Sequence, residues 1–214
     1  MVILVTVGVP GDAIALMLGV EAILRMARTS TNVTARPIEH QIAEAVTPLP
    51  EAQRDGATVY GFRDDADLAV VIREGTNDFL CLADTPGDET FQVSCYHRSL
   101  DPFMAMGRRL RAEGLSAAQV MERRKAAMEA GTLTIPMNGA MTTLRGTIRP
   151  DAMHPDTVSI LSVLYVPYAT AESTGLPTRP MGVGRPWLMQ SGMHRAHIMI
   201  GGPKKAFEMT MSRH

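Results

Sequence analysis

Six histidines and two cysteines carry the widest chemical reach in this chain, and their spacing limits what they can do. His194 and His197 form an H-x-x-H pair. That spacing suits a turn or a helix, whereas on a strand residues three apart face opposite sides and cannot share one metal. His154 and His197, each close to the end of a strand-like run, make the better pair, with Asp151, Asp156 or Glu74 able to add an oxygen. Zinc asks for three or four ligands. One expectation is therefore a metal-dependent hydrolase built on His154 and His197, and the other is a set of histidines that only hydrogen-bond within the fold. Nucleophilic chemistry has less to work with. Ser191 lies beside Gly192 but lacks the glycine two residues before it that a nucleophile elbow requires. Cys81 or Cys95 with His97 makes a Cys-His pair only if the thiols are free.

The stretch Arg73-Glu74-Gly75-Thr76-Asn77-Asp78-Phe79-Leu80-Cys81-Leu82 joins several of these residues. Gly75 to Asp78 reads as a tight polar turn in which Asn77 tolerates a left-handed backbone and Glu74 either caps backbone N–H groups or faces a ligand. Glu74, Asn77, His154 and His197 are thus the candidate ligand-binding residues. Cys81 and Cys95 each end a short β-like run, separated by turn formers from Leu82 to Thr90. If the runs pair, the thiols come within the roughly 4.4–6.8 Å Cα separation of a disulfide. Two buried, reduced cysteines are the alternative. Other matches are weaker. Asp64, Asp65 and Asp67 lack the alternation and closing Glu of an EF-hand and read as solvated turn carboxylates. Gly8-Val9-Pro10-Gly11-Asp12 lacks the Lys-Ser/Thr of a phosphate loop, and Asn32-Val33-Thr34 is a three-residue glycosylation match of the kind that arises by chance.

Residues 1–36 read as an atypical leader or an N-terminal appendage. The apolar runs Val2 to Val9 and Ala13 to Leu24 are both too short to span a membrane, and no basic residue precedes Arg25 as an export signal would require. Pro37 opens a short helix with Ile38, Ile42 and Ala45 or Val46 on its apolar side and His40 solvated. Ala57 to Phe62, Leu68 to Ile72, Phe79 to Leu82 and Phe91 to Cys95 predict a four-stranded meander. Asp101-Pro102 starts a helix with Asp101 as cap, and Gly114 ends it. Ser116 with Gln119 forms a capping box for a second helix that runs to Gly131. Strands return at Ala140 to Leu144 and Val158 to Val166, the latter read as a central strand buried on both faces. A Pro/Gly/Thr loop occupies Pro167 to Gly184. A hairpin of Arg185 to Met189 and Ala196 to Ile200 then closes a single domain at 37–203, with a loose tail at 204–214.

Composition excludes some functions. Lys+Arg 21 against Asp+Glu 22 leaves no broad footprint for nucleic acid or anionic membranes, and 5% aromatic content supplies few stacking platforms. The 16 methionines are scattered singly, as core filling rather than a soft-metal surface.

Taken in order, Glu74-Gly75-Thr76-Asn77 with Phe79 and Cys81, then Cys95, then Arg111-Ala112-Glu113-Gly114-Leu115-Ser116 between two helices, then His154-Pro155 and Ala196-His197, resemble a family of small exported bacterial proteins. The likeness runs from Pro37 to Gly202. It departs at the leader and at Asp78, where the family commonly has Gly. The resemblance implies an extracytoplasmic location, periplasmic or secreted, and with it the bridged form of Cys81 and Cys95, but no reaction and no cofactor. The expectation is an α+β fold: a largely antiparallel sheet with two central helices packed on one face. Function is read as non-catalytic binding of a small ligand or a partner protein, with the hydrolase and a structural envelope protein as alternatives.

Overall fold

Apolar alternation and turn chemistry lay down eight strands. In the computed structural model, residues 36–63, 69–87 and 89–209 are described, all within the unit Ala35–His214. The leader, the phosphate-loop-like glycines, the glycosylation match and the aspartates of the acidic turn lie outside the described residues.

The strands are β1 Thr58–Gly61, β2 Val70–Arg73, β3 Phe79–Leu82, β4 Thr90–His97, β5 Ala140–Thr147, β6 Thr157–Tyr165, β7 Trp187–Met189 and β8 His197–Ala206. They form one sheet in the order β2-β1-β3-β4-β5-β6-β8-β7. All neighbours are antiparallel except β1 and β3. The expected meander is therefore corrected. β2 folds back on the outer edge of β1, and the chain then crosses the start of β1, so β3 emerges on the far side running parallel to it. Gly75 makes the crossing possible, because a Cβ there would collide with the backbone of Ala57 and Thr58.

The two central helices, here α3 (Asp101–Ala112) and α4 (Ala117–Glu129), follow the short α1 (Ile38–Ala45) and α2 (Glu51–Arg54). Phe103 of α3 packs with Leu80, Tyr96, Val163 and Tyr165 on one sheet face, joined by Ala127 and Met128 of α4. The fold is α+β as expected, with those helices on one face. The opposite face is also covered, because Ala45, Val46 and Leu49 pack on Val59, Cys81 and Cys95. The Ser116–Gln119 capping box is present in both directions, and Gly114 and Gly131 take positive φ at the helix ends. Asp101 does not cap. It lies inside α3 and accepts from the Tyr96 hydroxyl (2.8 Å) and from Arg108 (2.9 Å). Where α4 meets α3, the Arg124 guanidinium sits 4.0 Å over the Phe103 ring and donates to the Phe103 carbonyl at 2.6 Å. Gly107 leaves it room.

Two boundaries shift. β6 is central, yet most of its residues are half-buried rather than covered on both faces. The chain after Pro203 is not a loose tail through Phe207: β8 pairs with β6 as far as Ala206, and Phe207 packs edge-on against Phe91 at 4.8 Å. A short helix, α5 (Ala171–Thr174), interrupts the long loop before β7. Cys81 and Cys95 face each other across β3 and β4 and form a disulfide with Cα atoms 4.1 Å apart. Such a bridge suits a non-reducing environment. Among the described residues, no helix is long and apolar enough to cross a membrane.

Candidate functional site

The residues proposed from sequence do not converge. β6 runs from Thr157, paired with Ala206, to Tyr165, paired with His197. His154 precedes the first end and its ring lies 5.6 Å from Phe207, whereas the His197 ring lies 5.5 Å from Tyr165. The whole strand separates them, roughly 26 Å at the rise of a β-strand. One metal cannot use both. Among the described residues no group of three His, Cys, Asp or Glu is placed to hold a metal ion.

Glu74 and Asn77 lie at the His197 end of the sheet but beside β1 and β3, four strand spacings or roughly 19 Å away. The groups of the EGTN turn are spent on folding. Gly75 N–H donates to the Thr58 hydroxyl, and Thr76 and Asn77 N–H both donate to the Gly56 carbonyl. The Asn77 amide donates to the Gln53 carbonyl at 2.8 Å and accepts from Phe79 N–H at 3.0 Å. Glu74 is exposed. His197 Nδ1 sits 2.8 Å from the Arg195 carbonyl, which can only accept, so Nδ1 carries the proton. Burial holds its pKa below the usual imidazole value, against the opposing pull of that carbonyl. His194 is also held low by burial, with Nε2 buried and unpartnered among the described residues.

His154 joins a cluster that the sequence did not reveal. On α1 the buried side is polar as well as apolar: Gln41 and Glu44 point inward while Ile38, expected inside, is 38% exposed. Gln41 clips the start of the domain to the end of β1. Its amide donates to the Arg36 and Phe62 carbonyls and its oxygen accepts from Phe62 N–H. Arg36 bridges two carboxylates, Glu44 at 2.6 Å and Asp84 at 3.1 Å. Glu44 is fully buried. Loss of hydration raises its pKa to about 7 and outweighs the lowering by Arg36. His154 Nδ1 lies 3.5 Å from Glu44 Oε2, and burial, then Arg36 and His40, hold its pKa low. His40 is not solvated. Its ring stacks on His154 at 6.3 Å. Among the described residues, Glu44 Oε1, His154 Nδ1 and His40 Nδ1 are all buried without a hydrogen-bond partner. The cavity beside Glu44, lined by Arg36, Gln41, Phe62 and Asp84, measures only about 10 Å³, room for roughly one water. This cluster can store a proton, but it cannot admit an organic ligand.

A larger opening lies on the lower half of the sheet face that α3 and α4 leave uncovered. Strand register puts Gln92, Arg145, Ser159 and Lys204 in one row across β4, β5, β6 and β8. Side chains paired in this way share a face. Gln92, Arg145 and Lys204 are exposed and Ser159 is half-buried. Arg145, Ser159 and Lys204 of this row, with Thr147, Asp156 and Thr157, line a cleft of about 390 Å³, within the roughly 300–1,000 Å³ of small-molecule sites. Arg145 and Lys204 flank Ser159 and stand about 10 Å apart across two strand spacings. Among the described residues neither has a carboxylate within 4 Å, because Asp156 at the rim pairs with Arg149 at 3.5 Å. Two cations and two threonines at the side present donors to an anionic, oxygen-rich molecule, while the Ser159 hydroxyl between the cations donates to the Arg145 carbonyl at 3.3 Å. Local pattern does not reveal the row: its residues come from four distant segments, and Lys204 falls in the stretch whose sequence reads as a tail. Comparison with family models, curated proteins and solved structures finds no match to this chain.

Proposed function

We propose that this protein works outside the cytoplasm as a non-catalytic binding protein for a small anionic molecule bearing carboxylate or phosphate groups. The observation that carries this reading is the Arg145–Ser159–Lys204 row, with two cations free of carboxylate partners among the described residues, on the floor of a ligand-sized cleft. The extracytoplasmic location rests on the disulfide and on the resemblance to exported proteins. The metal-dependent hydrolase reading has lost its ligand pair.

Isothermal titration at low salt with citrate and with glucose 6-phosphate tests the binding. Heat is expected with at least one probe. Arg145→Ala or Lys204→Ala should weaken binding about tenfold or more, the worth of a charge-assisted hydrogen bond. Absence of heat with both probes, or full affinity in the double variant, sinks the reading and leaves the structural envelope protein in its place.

A further inference from the structure

The charge of −1 conceals a strong segregation. From Ser173 to Phe207 the chain carries Arg179, Arg185, Arg195, Lys204 and Lys205 and not one Asp or Glu. That segment contains the loop before β7, together with β7 and β8 themselves, and β7 is the last strand of the sheet. One edge of the molecule is therefore cationic while the rest of the chain carries the excess of carboxylates.

The loop at this edge has a particular build. Every residue from Pro177 to Pro186 is exposed. Met181 and Val183, at its middle, are 60% and 68% exposed. Gly182 and Gly184 have positive φ, and nothing lies within 4 Å of where a Cβ would sit, so the tip stands out into open space. Arg179 and Arg185 flank the two apolar residues. The only tryptophan of the chain, Trp187, lies half-buried at the base. Although exposed, the loop is held in place. Leu188 N–H donates to the Pro177 carbonyl across its base, Gly184 N–H to Gly201 of β8, and Arg185 N–H to Gly182. Pro177, Pro180 and Pro186 restrict the backbone further.

We infer that this loop docks the protein on an anionic phospholipid surface, with Met181 and Val183 entering the interface, Arg179 and Arg185 at the phosphates and Trp187 at headgroup height. Single exposed apolar side chains are ordinary. Here two share one projecting tip between arginines, the arrangement in which apolar burial and attraction to anionic lipid add. Because the loop is already held in shape, little ordering entropy opposes docking. The surface is distinct from the cleft, and binding there does not require the cleft to be a ligand site.

Trp187 gives a local readout. The full-length protein is titrated with phosphatidylglycerol vesicles and, separately, with phosphatidylcholine vesicles, following tryptophan emission and co-sedimentation. The expected result is a blue shift and sedimentation with the anionic vesicles only. Affinity should fall about tenfold or more in Arg179→Ala/Arg185→Ala and comparably in Met181→Asp/Val183→Asp. The Met181 and Val183 side chains are 60% and 68% exposed and both arginines are exposed, so both variants should keep the wild-type melting temperature and the citrate or glucose 6-phosphate response. Equal binding to both vesicle types, no binding, or sedimentation unchanged in the Met181/Val183 variant would overturn the inference. Loss in the arginine variant alone, with a soluble polyanion bound equally well, would also overturn it, by reducing the surface to a charge patch.

Discussion

Burial favours a proton on the Glu44 carboxyl, whose Oε2 pairs with Arg36 and whose Oε1 is buried without a hydrogen-bond partner among the described residues. The folded form holds that proton up to about pH 7, whereas the unfolded chain releases it near 4.5. The resulting stability is fully present below about 4.5 and is lost as pH rises through 7. The imidazoles of His154 and His197, half-buried, and of His194, buried, act in the other direction. Each is held below 6.5 in the fold, so each contributes stability present above 6.5 and lost on acidification. The two tendencies oppose each other, and the wild-type protein should show a shallow profile between pH 5 and 7. Glu44→Gln removes one of them. We expect it to stabilise the fold by about 1–3 kcal/mol at pH 8 and, in urea titrations, to make stability climb from pH 5 and level off once the histidines are neutral in the unfolded chain, above 6.5. A variant curve parallel to wild type would show that Glu44 is ionised throughout. None of this was legible in the sequence, where Glu44 is one of several polar residues on a short helix. Its burial follows from Arg36, Asp84 and His154 meeting from three separate segments.

At the scale of elements, the turn Glu74–Asp78 and the β3–β4 pair carry the far end of the sheet. Gly75 passes against the backbone of β1, so Gly75→Ala should cost about 3 kcal/mol, read as a lowered denaturation midpoint with the disulfide still formed. A loss under 1 kcal/mol would mean the crossing relaxes easily. The disulfide closes a loop with a sequence separation of 14, worth about 3 kcal/mol in the chain-entropy model. Cys81→Ala/Cys95→Ala should lower the melting temperature by about 6–12 °C, and adding reductant to the variant should change nothing further. Local chemistry announced many of these elements. The capping box, the glycine stops and the alternating strands are written into neighbouring residues. Strand order was not, because the parallel pairing of β1 with β3 depends on a crossing that no periodicity encodes. Asp101 is a related case: its type and position suit a cap, but Tyr96 and Arg108 take its carboxylate instead.

Over the whole molecule, three regions carry different features: a buried proton-holding cluster by α1, an open cationic row beyond α3 and α4, and a basic edge at β7 and β8 that shares Lys204 with the row. The charge total, read alone, predicted no attraction for anionic surfaces, because a sum over the chain erases sidedness. The cleft escaped for the same nonlocal reason, since Arg145, Ser159 and Lys204 align only once three strands are in register. The β7–β8 edge has one more consequence. β7 pairs with β8 no further than Met199, whereas β8 continues to Ala206 on its β6 side. Past Gly201, whose carbonyl still accepts from Gly184 of the loop, a stretch of β8 backbone lies beyond the cover of its outer neighbour, a template onto which a strand from another molecule could zip. That stretch contains Pro203, which has no N–H to offer, followed by Lys204 and Lys205, whose like charges meet whenever two copies approach edge to edge. The same lysines that add positive charge to this edge disfavour its pairing with the edge of a second copy.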